Sequence, residues 1–220
     1  MEYTAIVLAA GRGKRMKARD NKIFLELGGR PILSYALDVF AKDADCKQLI
    51  VVGRAKEQSM ILQLSEQIEF VVGGVERQDS VKNALAKVNC DYVMIHDGAR
   101  PFIKAAQLEG LKRHVEKAHA TLLAVPVKDT IKQVSGEEVE RTLPRNELYQ
   151  AQTPQAFLTE LIKDVHEKAA LTQFLGTDDA SLVETFSNQA VTITQGNYQN
   201  IKITTPDDLI LGEAILKAGI

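Results

Sequence analysis

Leu8–Lys22 reads Leu-Ala-Ala-Gly-Arg-Gly-Lys-Arg-Met-Lys-Ala-Arg-Asp-Asn-Lys. An apolar run, Thr4–Leu8, precedes it with the pattern of a buried strand, and an amphipathic helix begins near Pro31. A glycine-bearing turn leaving a strand exposes backbone N–H groups, and small residues let that backbone approach a ligand closely. Six basic residues and one acid, Asp20, lie between Arg12 and Lys22, in a chain of formal net charge -2. Strand, small-residue turn and concentrated positive charge together suit a polyphosphate. A basic, solvated loop that merely starts a helix has the same composition. Two familiar phosphate motifs fail: Arg15 stands at the hydroxyl position of a Walker loop, and Met16 where a dinucleotide fingerprint needs its third glycine.

The 220 residues contain no Pro/Gly/Ser-rich linker, low-complexity run or repeat, so the expectation is a single domain over 1–220. With 45% hydrophobic and 25% charged residues, such a chain can bury a sizeable core. No apolar run approaches membrane-spanning length and no signal peptide is evident, so a cytoplasmic protein without a membrane partner is expected. The near-neutral charge and the absence of Trp argue against a nucleic-acid surface. Cys46 and Cys90 stand alone, without metal or redox spacing.

Apolar runs at Ala5–Leu8, Leu49–Val52, Phe70–Val72, Tyr92–Ile95 and Leu122–Val125 alternate with helical patterns at Ile32–Phe40, Glu57–Leu64, Ser80–Val88 and Leu108–Ala118. That alternation predicts an α/β fold with a mostly parallel sheet and helices on both faces, its ligands beyond the carboxyl ends of the strands. The residues there include Ala9–Gly11, Gly53, Gly73–Gly74 and Asp97–Gly98. After Gly73–Gly74 come Arg77, Asp79 and Ser80, of which Asp79 or Ser80 equally suits a helix cap. Asp97 ends an apolar strand, where a carboxylate could hold a hydrated divalent cation against phosphate oxygens, although a turn-forming Asp-Gly gives the same pattern. Arg100 suits either a phosphate or a salt bridge to Asp97. His96 lacks a partner at metal spacing, and His114, His119 and His166 fall on charged helical faces.

Beyond Pro126, Thr130–Val134 and Glu138–Thr142 alternate around Ser135–Gly136, the signature of a β-hairpin that is either a solvated edge or an arm against another subunit. A helix over Leu158–Leu171 follows a polar stretch, Arg145–Phe157. Thr177 or Asp178 suits the cap of a helix running to Phe186. A strand at Val191–Thr194 leads to Lys202, expected on a short strand, and to a last helix capped by Thr205 before Pro206.

In order and spacing, Ala9-Ala10-Gly11-x-Gly-x-Arg15-Met16 with Lys22, Gly73-Gly74 with Arg77 and Ser80, His96-Asp97-Gly98-Ala99-Arg100-Pro101, Thr153-Pro154-Gln155, Thr177-Asp178-x-Ala180-Ser181 and Asn200-Ile201-Lys202 closely resemble the 2-C-methyl-D-erythritol 4-phosphate cytidylyltransferases. The resemblance runs essentially end to end. It implies a Rossmann-like nucleotidyltransferase fold and the transfer of CMP from CTP to methylerythritol phosphate, with release of pyrophosphate, in non-mevalonate isoprenoid synthesis. It further implies that Ala9, Ala10, Gly11, Gly74 and Ser80 bind the nucleotide, that Arg15 and Lys22 hold the triphosphate and stabilise the transition state, and that Asp97 holds Mg2+ or another divalent cation. Arg100 and Thr130 would line the acceptor region, and Lys202 would meet the acceptor from within. The hairpin, about 130–148, would be a dimerisation arm, so that Arg145 and Thr153 reach the acceptor bound to the other subunit of a homodimer. Thr177 is a weaker correspondence.

The chemistry suits those residues independently. A phosphate monoester is already an anionic nucleophile, so its attack on an α-phosphorus needs cations that align two anions rather than a general base. A ribitol-5-phosphate cytidylyltransferase would share these motifs, although Gly98–Ala99 looks more like the methylerythritol enzymes. A non-catalytic nucleotide-binding module would keep the glycine turns but could dispense with Lys22, Asp97 and Lys202.

Overall fold

Strands form where the β-branched apolar runs lie, and their alternation assigns each side chain to one face. The computed structural model describes residues 1–11 and 21–219, and the stretch containing Arg15 lies outside them. In chain order the first half comprises β1 (Tyr3–Leu8), β2 (Glu26–Leu27), β3 (Arg30–Pro31), α1 (Ile32–Lys42), β4 (Cys46–Gly53), α2 (Gln58–Leu62), β5 (Ile68–Val72), α3 (Arg77–Leu85) and β6 (Tyr92–Asp97). The second half comprises α4 (Ala105–Ala118), β7 (Ala120–Pro126), β8 (Lys132–Ser135), β9 (Glu138–Thr142), β10 (Tyr149–Leu158), α5 (Thr159–Leu171), α6 (Asp179–Phe186), β11 (Thr192–Gln195) and α7 (Pro206–Lys217).

Among the described residues one seven-stranded sheet has the order β11-β7-β10-β6-β1-β4-β5. All its pairings are parallel except those of β10, which runs antiparallel to both β6 and β7. From β1, Ala5 and Val7 join Leu33 and Phe40 of α1 and Leu108, Leu111 and Val115 of α4 in one core layer. Ile6 faces the other way and joins Val81, Ala84 and Leu85 of α3, Ile162 and Val165 of α5, and Leu182 and Val183 of α6. Helices thus cover both faces, as the strand–helix alternation requires. Each large aliphatic side chain fully buried there contributes roughly 1.5–3 kcal/mol against chain entropy.

β10 is the element that the apolar pattern does not announce. Its sequence is Tyr-Gln-Ala-Gln-Thr-Pro-Gln-Ala-Phe-Leu, yet it lies between β6 and β7. Its register is interrupted between Ala151 and Gln155, which accommodates Pro154 in an interior strand. The buried glutamines are satisfied internally: Gln155 donates to Asp178 Oδ2 at 2.7 Å and accepts from the Ala180 N–H at 3.0 Å, while Gln152 donates to Asn197 O at 2.9 Å. Side-chain hydrogen bonds here do what apolar burial does in the neighbouring strands.

Three local expectations need correction. α3 begins at Arg77 rather than Ser80, with Glu76 as its cap and Asp79 accepting the Glu76 N–H at 3.0 Å. Residues 200–203 form no strand. His166 is not on an exposed helical face: it is 2% exposed, between α5 and α6, with Nε2 3.5 Å from Asp179. The remaining caps agree with the sequence, Asp178 before α6 and Thr205 ahead of Pro206 in α7.

β8 and β9 pair only with each other, Lys132 to Thr142 and Ser135 to Glu138, and every residue in them is exposed. An isolated hairpin is marginally stable in water. Val134 and Val139 sit opposite one another on it, 56% and 60% exposed.

Candidate active site

β1 lies between β4 and β6, so the chain leaves it in opposite directions and opens a crevice at its carboxyl end. A cleft of about 580 Å³ occupies that position. Among the described residues its walls include Ala9, Ala10 and Gly11 after β1, Gly53 at the end of β4 with Arg54 next to it, Gly73 and Gly74 after β5, and Asp97 at the end of β6. Lys22, Arg77, Ser80 and Lys202 complete the polar lining.

Gly74 is a steric requirement: a Cβ there would sit 2.2 Å from Cβ of Asp79. Ser80 holds that turn, its Oγ accepting the Gly74 N–H at 3.0 Å and donating to Glu76 O at 3.1 Å. Its role is therefore to fix the glycine turn, with Glu76 as the helix cap. On the opposite wall, Asn21 donates to Ala9 O at 2.7 Å and to Glu57 Oε2 at 3.2 Å, tying the return of the cationic stretch to the end of β1. Arg54 pairs with the same Glu57. Lys22 donates through Nζ to Ile203 O at 2.8 Å, linking that return to the segment that carries Lys202.

Asp97 is the electrostatic centre. Lys202 Nζ lies 2.7 Å from Oδ2, Arg77 Nε 3.5 Å from Oδ1 and Arg100 Nε 3.8 Å from Oδ2. Burial alone would raise its pKa, but Arg77, Lys202 and Arg100 outweigh burial and hold the carboxyl well below the usual range. Behind Arg77 stands Asp179, 1% exposed, 2.8 Å from Arg77 Nη2. Arg77 thus bridges two carboxylates, and its pKa is raised because they outweigh its own burial.

The structure brings together Ala9, Ala10, Gly11, Lys22, Gly74, Ser80, Asp97 and Lys202 on one cleft. Arg100 stands just behind, its Nη1 donating to Asn200 O at 2.7 Å. Thr153 is 5% exposed, and its Oγ1 accepts the Asp97 N–H at 3.0 Å within the same chain. That burial corrects the expectation that Thr153 reaches into a second subunit. Thr130 and Arg145 are exposed at the root of the hairpin, Arg145 donating to Lys128 O at 2.8 Å, and neither lines the cleft. Lys128 rests 3.7 Å from the centroid of the Tyr198 ring. Arg15 lies outside the described residues.

Sequence reasoning passed over Arg54 and Asn21 and gave Arg77 no role of its own. Arg54 directly follows Gly53, a strand-end position that could have pointed to it. A separate acidic group, Asp43, Asp45 and Glu109, lies near the amino end of β1 and closes around Lys112 Nζ at 3.2, 2.6 and 2.5 Å. An ammonium therefore fills the centre of that cluster.

The family model described as 2-C-methyl-D-erythritol 4-phosphate cytidylyltransferase matches residues 3–218. The chain belongs to that family. It is 49% identical to the protein of that name from Halalkalibacterium halodurans, over 98% of this chain and 97% of that one. The Bacillus velezensis protein of the same name is 48% identical over 99% and 97% of the two chains. Among solved structures, the 4-diphosphocytidyl-2C-methyl-D-erythritol synthase of Anaerococcus prevotii superposes with a TM-score of 0.89 at 33% identity, covering 98% of this chain and 96% of that one. The cytidylyltransferase of Thermus thermophilus gives 0.83 at 30% identity, covering 99% and 100%. The fold is accordingly the α/β nucleotidyltransferase fold, and the activity is cytidylyl transfer from CTP to methylerythritol phosphate.

The depressed carboxyl of Asp97 yields a signed expectation. A carboxylate whose folded pKa lies below its unfolded value, about 3.9, contributes fully above that pH and loses its contribution as pH falls through the folded value. Asp97→Asn should therefore destabilise the chain at pH 7 by on the order of 2 kcal/mol, less than the ~3–5 kcal/mol of a fully buried broken pair because its cationic partners are partly solvated. Urea unfolding at pH 7 and near pH 3 should show the gap between variant and parent narrowing in acid. A gap independent of pH would mean that Asp97 is not the ionised anchor.

Proposed function

We propose that the crevice at the end of β1 binds CTP, and that the acceptor phosphate enters beside Asp97 and Lys202 to attack the α-phosphorus and displace pyrophosphate. The observation carrying this reading is a buried carboxylate held among three cations and facing two small-residue turns. Backbone at Ala9, Ala10, Gly11 and Gly74 suits the base, ribose and phosphates because little side chain intervenes. Ser80 keeps the Gly74 turn in shape.

The P–O bond formed joins an acceptor phosphate oxygen to the α-phosphorus, and the bond broken releases pyrophosphate as the leaving group. No proton need leave the nucleophile. Catalysis then consists of alignment and charge neutralisation. Lys22, on the cleft wall, would meet the triphosphate and the charge developing on the leaving group, and the family resemblance gives Arg15 the same role. Lys202 would meet the incoming phosphate, and Arg100 steadies the segment that carries it.

The donor set also fits Mg2+. Magnesium usually takes one or two carboxylates together with substrate phosphate oxygens, and Asp97 is one hard-oxygen donor on a wall open to a nucleotide. Asp97 would hold the ion, which would supply further neutralisation of phosphate charge. The Asp43–Asp45–Glu109 group is less suited, because Lys112 already neutralises it.

The assembly is inferred to be a homodimer formed through the hairpin, supported by the exposed Val134–Val139 pair on an otherwise unsupported ribbon. Arg145 and Thr130 at its root would then approach a partner's acceptor site. No described helix is long and apolar enough to cross a membrane. CTP and a sugar phosphate are charged metabolites, which suits a cytoplasmic reaction without nucleic-acid or membrane partners.

Lys22→Ala should lower turnover, followed as pyrophosphate release with CTP, Mg2+ and methylerythritol phosphate, by roughly 10²–10³-fold with little change in unfolding midpoint. Near-normal turnover would remove Lys22 from the transition state. A chain lacking residues 133–143 should sediment as a monomer, and a persistent dimer would show that the arm does not form the interface.

A further inference from the structure

His96 is fully buried at the penultimate position of β6, between Ile95 and Asp97. Packing alone does not call for an imidazole there, since the neighbouring Met94 and Ile95 fill comparable positions with apolar side chains. Each ring nitrogen has a single partner, and the chemistry of that partner decides its role.

The bonding pattern assigns those roles. Nε2 lies 3.1 Å from Arg100 O, a group that can only accept, so Nε2 carries the proton. Nδ1 is then an acceptor, and Thr153 Oγ1, 3.1 Å away, donates to it. That leaves Oγ1 free to accept the Asp97 N–H at 3.0 Å. One ring thereby fastens both ends of the Asp97–Arg100 turn, directly at Arg100 and through Thr153 at Asp97.

The same contacts extend to Lys202. Arg100 donates from Nη1 to Asn200 O at 2.7 Å, and Asn200 Nδ2 donates to Thr153 O at 2.9 Å. Ile203 N–H donates to Ala99 O at 2.9 Å. Residues 200–203 belong to no strand or helix, so these bonds, rather than a sheet ladder, fix the backbone on either side of Lys202.

We propose that His96 is a positioning residue for cytidylyl transfer, setting through Thr153 and Arg100 where the Asp97 carboxylate and the Lys202 ammonium meet the reacting phosphates. This rests on the reading that Asp97 and Lys202 act at those phosphates. Misplacement of such groups by about 1 Å can lower turnover on the order of 10²-fold. The nucleotide turns at Ala9–Gly11 and Gly74 are held by other bonds, so CTP binding should be little affected.

The test is steady-state kinetics with CTP, Mg2+ and methylerythritol phosphate on three variants, each with its thermal midpoint. His96→Phe removes both bonds and should lower kcat on the order of 10²-fold while KM for CTP stays within about threefold. His96→Gln can still donate to Arg100 O, and His96→Asn can still accept from Thr153. Each should recover at least about fivefold of the lost kcat over Phe, at similar thermal midpoints. Should the Phe variant fail to fold, the Gln and Asn variants decide: folded, with kcat down about tenfold, they support the proposal, and at parental kcat they overturn it. Loss of kcat, CTP affinity and stability in parallel across the variants overturns it as well, because that pattern marks a purely structural residue. Lys202→Met separates the two levels: unchanged turnover in that variant removes the underlying reading, whereas a large loss there with normal His96 variants removes only this inference.

Discussion

A carboxylate in a crowded protein interior must be paired, and the pairing of Asp97 is the constraint on which the cleft depends. Lys202 and Arg77 approach it from distant parts of the chain, and Arg100 from its own turn three residues on. Each is in turn held by something else. Arg77 is backed by buried Asp179, Arg100 by the carbonyl of Asn200, and the backbone after Lys202 by Ala99 and Lys22. The segments carrying Arg77 and Lys202, far apart in sequence, are therefore brought into register by one negative charge.

The chemistry follows from that economy of charge. A site that joins two phosphate esters must be positive enough to hold both anions, yet positive groups crowded without a counter-ion would repel one another when no substrate is present. Asp97 supplies the internal counter-ion. The small-residue turns suit the complementary need of the proposed function, because a polyphosphate can reach backbone N–H groups only where no side chain intervenes, and at Gly74 the neighbouring Asp79 leaves no room for one.

Local signals made much of this legible. The runs that became β1, β4, β5, β6 and β7 are apolar and β-branched, and the carboxyl ends of the first four carry the glycines and Asp97 that line the cleft. β10 escaped because its buried residues include three polar ones, Gln152, Thr153 and Gln155, whose partners Asn197, Asp97 and Asp178 are distant in sequence. The same non-locality hid the bridge from Arg77 to Asp179 and the bond from the Asp97 N–H to the Thr153 hydroxyl. Lys202 lines the cleft but was expected on a strand, because Ile201 and Ile203 mimic strand alternation while their backbone is held by side chains and loop carbonyls. Where a residue is fixed by a neighbour in sequence, pattern suffices. Where it is fixed by a buried polar contact, the fold must be seen.

Lys202 holds Asp97 in the structure, and under the proposed function a divalent cation arriving with the nucleotide would compete with it for that carboxylate. The most direct measurement is a crystal structure of the complex with CTP, Mg2+ and methylerythritol phosphate. It should place the metal on an Asp97 oxygen and Lys202 Nζ on the acceptor phosphate, with the nucleotide between the Ala9–Gly11 and Gly74 turns. A metal seated in the Asp43–Asp45–Glu109 group, or Lys202 still bound to Asp97 with the acceptor elsewhere, would contradict the central role given to this carboxylate.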